Sequence, residues 1–181
     1  METVLILDFG AQYSQLIARR VREQNVYCEV KPCSISPAEI EKIAPIGIIL
    51  SGGPQSVYES VSLRVDPALF ALGIPVLGIC YGCQLMAYSL GGTVAAATEA
   101  TAREYGKTLT EFDTHSAIFQ DLPASSVTWM SHGDYISRVP DGFTVTAKTA
   151  VCPTAAMACP EKRLYGVQFH PEVQHTVEGS G

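Results

Sequence analysis

Positive charge is what this chain has least of in any one place. Its 12 Lys and Arg stand against 18 Asp and Glu, and no basic cluster is longer than the pair Arg19-Arg20. A surface for nucleic acid or an anionic membrane therefore has no electrostatic footprint. Long apolar runs are scarce too, none approaching the roughly 18 residues a membrane helix needs. Met1 to Asp8 lacks a basic stretch ahead of an apolar one, so no export or insertion signal is visible. No internal repeat, low-complexity tract or linker-like shift of composition divides the chain. With 181 residues, 47% hydrophobic and 17% charged, it fits one compact domain with a full core. These absences leave small-molecule chemistry as the expected business of the protein.

Dependence on disulfides is also unexpected. Cysteines stand at 28, 33, 80, 83, 152 and 159, but a chain this large and this apolar does not rely on crosslinks. A reducing, cytoplasmic setting is the expectation, with Cys28, Cys33, Cys152 and Cys159 read as small buried hydrophobes.

Along the first half, apolar runs and helical patterns alternate. Val4 to Leu7 reads as a buried strand that stops at Asp8-Phe9-Gly10. Gln12 to Glu23 reads as an amphipathic helix, with Leu16, Ile17 and Val21 on one stripe. Val26 to Val30 is a second strand, and Ser36-Pro37 opens a short helix with an N-cap and Pro at its first position. Ile46 to Leu50 is a third strand, apolar throughout and so expected to be covered on both faces. A polar stretch to Ser62, a helix around Pro67 to Leu72 and a fourth strand, Pro75 to Ile79, follow. This alternation predicts an α/β fold with an open, mostly parallel sheet flanked by helices and a functional crevice at the carboxyl ends of the strands. From Gly92 to Gln168 the runs are shorter and richer in Thr, Val and Tyr, which predicts an added mixed or antiparallel portion. Val177 to Gly181 reads as a frayed end or a truncation point.

The stretch Gly73 to Gly92 is the centre of the sequence. Cys80 lies in Gly78-Ile79-Cys80-Tyr81-Gly82, between a strand-like run and a helix-like run from Gln84 to Leu90. That is the thiol counterpart of the Gly-x-Ser-x-Gly nucleophile elbow, whose sharp turn tolerates only glycine on either side. The helix dipole behind it favours the reactive thiolate. A nucleophilic cysteine needs a base and a group to orient the base. Of His115, His132, His170 and His175, only His170 has the surroundings: a strand-like run ends at His170-Pro171-Glu172, and Pro171 extends the backbone so that His170 and Glu172 point the same way. Attack on a carbonyl also needs N–H donors for the oxyanion. Tyr81 supplies one from the elbow, and Gly53, in Ser51-Gly-Gly-Pro54, is the candidate for a second; alone, that motif is as well read as a turn.

Two other readings of Cys80 and Cys83 stay open at this point. The C-x-x-C spacing fits a redox pair at a helix start, and it fits half of a zinc site. Neither explains the flanking glycines or His-Pro-Glu, and no second C-x-x-C follows. Ser131-His132-Gly133-Asp134 reads either as a solvated turn or as a loop offering donors and a carboxylate to a zwitterionic ligand.

Taken together, Val4-Leu-Ile-Leu-Asp-Phe-Gly-Ala-Gln-Tyr13, Ile49-Leu-Ser-Gly-Gly-Pro54, Gly78-Ile-Cys-Tyr-Gly-Cys-Gln84, Arg103-Glu-Tyr-Gly106, Ser131-His-Gly-Asp134 and Gly166-Val-Gln-Phe-His-Pro-Glu172 resemble the class I (triad-type) glutamine amidotransferase domain of GMP synthetases. The resemblance covers essentially the whole chain. It implies a flavodoxin-like sheet and a single amidotransferase domain over residues 1–181. Cys80 is then the nucleophile, His170 the acid/base and Glu172 its orienter. The oxyanion hole takes the Gly53 and Tyr81 N–H groups, and Gln84, Ser131 and His132 lie near the substrate, L-glutamine. No metal or cofactor is implied in this domain. Ammonia would pass to a synthetase (ATP pyrophosphatase) partner that uses ATP and Mg²⁺ to convert XMP to GMP; no phosphate-cradling loop for that chemistry is present in this sequence. The Gly-Ser-Gly end reads as a fragment of a two-domain enzyme rather than a separate subunit. The family commonly has methionine where this chain has Cys83, and the C-x-x-C spacing predicts oxidative inactivation through a Cys80–Cys83 disulfide.

Amidotransferases for other acceptors, as in anthranilate or carbamoyl phosphate synthesis, and stand-alone γ-glutamyl hydrolases are the competing enzyme readings. An inactive binding module on the same fold would have lost Cys80 or His170, and this chain has both.

Overall fold

The computed structural model describes residues 3–9, 13–51, 67–96, 104–113, 125–132, 134–149 and 154–169. The apolar run after the N-terminus forms β1 (Thr3–Asp8), and the amphipathic stretch after it forms α1 (Tyr13–Glu23). Strand β2 (Tyr27–Pro32) follows, then α2 (Pro37–Ile43). The Ser36 cap is formed as the sequence predicts: the Glu39 N–H donates to Ser36 Oγ at 3.2 Å, satisfying a donor of the first turn. Strand β3 (Gly47–Leu50) comes next; its Ile48 and Leu50 pack on one face and Ile49 on the other. Ile46, expected within that strand, lies before it and is 47% exposed.

The helix expected around Pro67 to Leu72 is a tighter 3₁₀ turn, Pro67–Ala71. Strand β4 (Val76–Ile79) leads through Cys80 into α3 (Tyr81–Ser89). That helix starts three residues earlier than the apolar run from Gln84 suggests. The remaining strands are β5 (Thr93–Ala96), β6 (Glu104–Phe112), β7 (Ser125–His132), β8 (Asp134–Arg138), β9 (Thr144–Lys148), β10 (Ala156–Cys159) and β11 (Leu164–Val167). Ser131 and His132 are therefore the end of β7 and Asp134 the start of β8, rather than members of an extended loop.

Among the described residues, one sheet has the order β2-β1-β3-β4-β11-β10-β9-β6-β7, and β5 pairs with β8 separately. From β2 to β11 all neighbours are parallel; from β11 to β7 all are antiparallel. The fold is thus the expected α/β architecture, an open and mostly parallel sheet with an antiparallel extension. Two buried clusters cover its two faces. One gathers Leu5, Leu7, Ile48, Leu50 and Val76 under α3, and the other gathers Ile6, Ile79 and Val167 under Ile17 and Ala18 of α1. The alternation of β1 side chains between the clusters is the period-two rule of a strand covered on both sides.

Candidate active site

The parallel strands deliver their carboxyl ends side by side. The register pairs Val167 of β11 with Ile79 of β4, and Leu50 of β3 with Gly78. Past those ends stand Phe9, Ser51, Cys80 and Gln168. The Phe9 N–H donates to Ser51 Oγ at 3.4 Å, tying the ends of β1 and β3 together. The candidate nucleophile therefore lies at the carboxyl ends of the parallel strands.

Cys80 has φ 54° and ψ −109°, a positive-φ conformation that a residue with a Cβ rarely adopts. Such a conformation costs about 1–3 kcal/mol and persists only where the surroundings impose it. Here the Cys80 N–H donates to Val167 O at 2.8 Å, and Cys80 O accepts the first α3 hydrogen bond, from the Gln84 N–H at 3.1 Å. The neighbouring glycines leave no other course. A Cβ on Gly78 would stand 2.7 Å from the Gly82 backbone, and one on Gly82 would press on Leu50 O and come within 2.7 Å of Leu50 Cβ. Strand and helix thus touch backbone to backbone on both sides of the thiol, which is the steric content of the elbow motif.

Cys80 and Tyr81 are buried, and the Tyr81 ring packs on Phe9 with centroids 5.4 Å apart. The sulfur of Cys80 accepts from Gln168 Nε2 at 3.5 Å, and Gln168 Oε1 in turn accepts from Gln84 Nε2 at 3.2 Å. Both glutamines are inside the protein, at 0% and 4% exposure respectively. Gln168 is the residue that sequence reasoning passed over. Its signal was a polar side chain closing an otherwise apolar strand end.

Cys83 does not share the surroundings of Cys80. It lies in the cluster beneath α3, and a Cβ added to Gly166 would come within 2.6 Å of its Sγ, whereas Cys80 belongs to the cluster on the other face. Joining the two sulfurs would require withdrawing Cys83 from that close packing, so the C-x-x-C spacing does not by itself make a redox pair here. None of the five described cysteines is disulfide-bonded, and Cys28, Cys33 and Cys159 are buried as expected. Ser131 and His132 end β7, at the far edge of the large sheet from β2. Gly53, His170, Glu172, Cys152 and the stretch 177–181 lie outside the described residues.

A thiol at a strained strand-to-helix turn, on the carboxyl edge of a doubly covered parallel sheet, defines an elbow-type cysteine site. The model of the class I glutamine amidotransferases matches residues 5–181, and the chain belongs to that family. Among its relatives are glutamine-hydrolysing GMP synthases. One from Clostridium botulinum (strain Hall) is 58% identical over 178 residues, 98% of this chain and 34% of the relative. One from Bacillus pumilus is 55% identical over 179 residues, 99% of this chain and again 34% of the relative. The chain thus spans about a third of the length of the curated relatives it matches. A solved structure from Thermoplasma acidophilum, described as a GMP synthase subunit, superposes with a TM-score of 0.85 at 31% identity, over 99% of this chain and 89% of that one.

Proposed function

We propose that this chain is the glutaminase part of a GMP synthetase, a single domain over residues 1–181 working in the cytoplasm. The observation that carries the reading is the elbow: Cys80 held at positive φ between two glycines that admit no Cβ. The Cys80 sulfur adds to the side-chain carbonyl carbon of glutamine, and the N–H groups of Tyr81 and Gly53 receive the oxyanion. His170, oriented by Glu172, carries the thiol proton to the leaving nitrogen, so that the C–N bond breaks and ammonia departs. Water then adds to the thioester, giving its proton to His170, and the C–S bond breaks to release glutamate. Gln84, Ser131 and His132 contact the substrate. A synthetase partner, with ATP and Mg²⁺ to activate XMP, consumes the ammonia; nothing in this chain's own chemistry calls for a metal or cofactor.

The GMP synthase relatives, each about three times as long as the stretch they share with this chain, support a partner domain or subunit. The discriminating experiment is a glutaminase assay with and without the synthetase, XMP and ATP. Activity that is low alone and rises with the partner supports the reading. Full activity alone, unmoved by the partner, would point to a stand-alone γ-glutamyl hydrolase.

A further inference from the structure

The two buried glutamines behind the nucleophile form a chain of amides that ends on sulfur. Gln168 Nε2 is 3.5 Å from Cys80 Sγ, and Gln84 Nε2 is 3.2 Å from Gln168 Oε1. The orientation of the chain follows from the sulfur. A thiolate can only accept, so Gln168 must turn its NH₂ toward Cys80 and its carbonyl toward Gln84, which must then donate. The Gln168 main chain is anchored beside the site, its N–H donating to Ala155 O at 2.7 Å. Gln168 is wholly buried, and placing an amide there without partners would carry a desolvation cost. A leucine at this position would be expected if packing were its whole role.

We infer that Gln168 is a sulfur-holding residue of the glutaminase reaction and that Gln84 positions it. This rests on the proposed role of Cys80 as nucleophile. An N–H donor to ionised sulfur makes a charge-assisted bond, stronger than one to the neutral thiol or to a thioester. Its effect therefore falls at two points of the cycle. In the first half, when His170 takes the thiol proton and the sulfur attacks, the Gln168 N–H faces the charge on sulfur. In the second half, when water has added to the thioester carbon and the C–S bond breaks, the electron pair goes to sulfur, and the Gln168 N–H receives the charge as it appears. The pairing also gives Gln84 a task beyond substrate contact. By engaging the Gln168 carbonyl it keeps the amide from turning its oxygen toward the sulfur.

The test uses the chain together with its synthetase partner. Gln168→Met keeps the length of the side chain and removes the donor. Glutaminase kcat is expected to fall by about 10- to 100-fold with KM within about threefold. Alkylation of Cys80 by iodoacetamide, measured without glutamine, should slow in parallel. Gln84→Met should slow alkylation by a smaller factor, and this readout is independent of any part Gln84 plays in holding substrate. It also stands alone if Gln168→Met does not fold. Values of kcat and alkylation rate in Gln168→Met within twofold of wild type would overturn the inference, as would an unchanged alkylation rate in Gln84→Met. Cys80→Ala run alongside separates the two claims. If it keeps glutaminase activity, the nucleophile assignment has failed; if it is inactive while Gln168→Met is normal, only the sulfur-holding role has failed.

Discussion

Helix α1 lays Ile17 and Ala18 on the sheet and turns Arg19, Arg22 and Glu23 to solvent, whereas α3 carries no charge and is buried from Tyr81 through Ala87. Both follow a buried parallel strand. The first is an ordinary amphipathic surface helix, held by one apolar stripe. The second is enclosed, with the sheet beneath it and Val94 and Ile136 of the β5–β8 pair in the same cluster. It starts without a side-chain cap, on a residue at positive φ. The contrast shows what holding Cys80 at the strand end requires. In α1 the sequence is chosen by polarity, so most outward positions are replaceable. In α3 it is chosen by space, because backbone must touch backbone for Cys80 to stand at the strand end.

That contrast can be broken most forcibly at the elbow glycines. Gly82→Ala and Gly78→Ala each drive a Cβ into backbone that cannot withdraw, and each should destabilise the fold by about 3 kcal/mol or more in urea unfolding. Arg22→Ala on the outer face of α1 should stay within about 0.5 kcal/mol. Equal effects from the two helices would contradict the account.

A smaller effect is expected where α3 meets β11. Gly166→Ala should cost about 1–3 kcal/mol, because the new methyl collides with Cys83 Sγ. Adding Cys83→Ala removes the obstacle, so the double variant should be more stable than the sum of the singles by at least about 0.5 kcal/mol. Additive losses would place Cys83 elsewhere.

The strain at residue 80 itself has a sign that most cysteine replacements would not show. Cys80→Gly should be more stable than Cys80→Ala by about 1 kcal/mol, since glycine accepts φ 54° and alanine does not. The reverse order in thermal melts would mean that the turn relaxes once the thiol is gone.

The smallest expected effect is on pH. Cys33 belongs to the cluster beneath α3, and burial pushes its thiol up from the ordinary value of 9.0. The unfolded chain loses that proton first, so from about pH 9 upward it binds fewer protons than the folded chain, and stability falls as pH rises. Below that value the contribution is fully present. Cys33→Ala should flatten this alkaline decline; an unchanged slope would assign it to other groups.

Much of this was legible in the chain itself, for identifiable reasons. The buried strands show as unbroken apolar runs, α1 as a stripe, and the elbow as two glycines flanking a cysteine. The start of α3 was not legible, because Tyr81, Gly82 and Cys83 are poor helix formers and their helical state is imposed by the strand ends around them. The β7–β8 boundary was hidden for a similar reason: Ser131-His-Gly-Asp134 has turn composition, yet pairing with β6 and β5 keeps its flanks extended. Gln168 was missed since its partner Gln84 is 84 residues away, a relation that only the parallel pairing of β4 with β11 creates.

At the centre stands the proposed attack of Cys80 on the side-chain amide of glutamine, which frees the nitrogen as ammonia. Its most direct test is GMP formation by Cys80→Ala with the synthetase partner, XMP and ATP, supplied in turn with glutamine and with ammonium. With Cys80 as the nucleophile, glutamine-dependent synthesis falls by at least about a thousandfold while ammonium-dependent synthesis is retained. Glutamine-dependent synthesis that survives the substitution would contradict it.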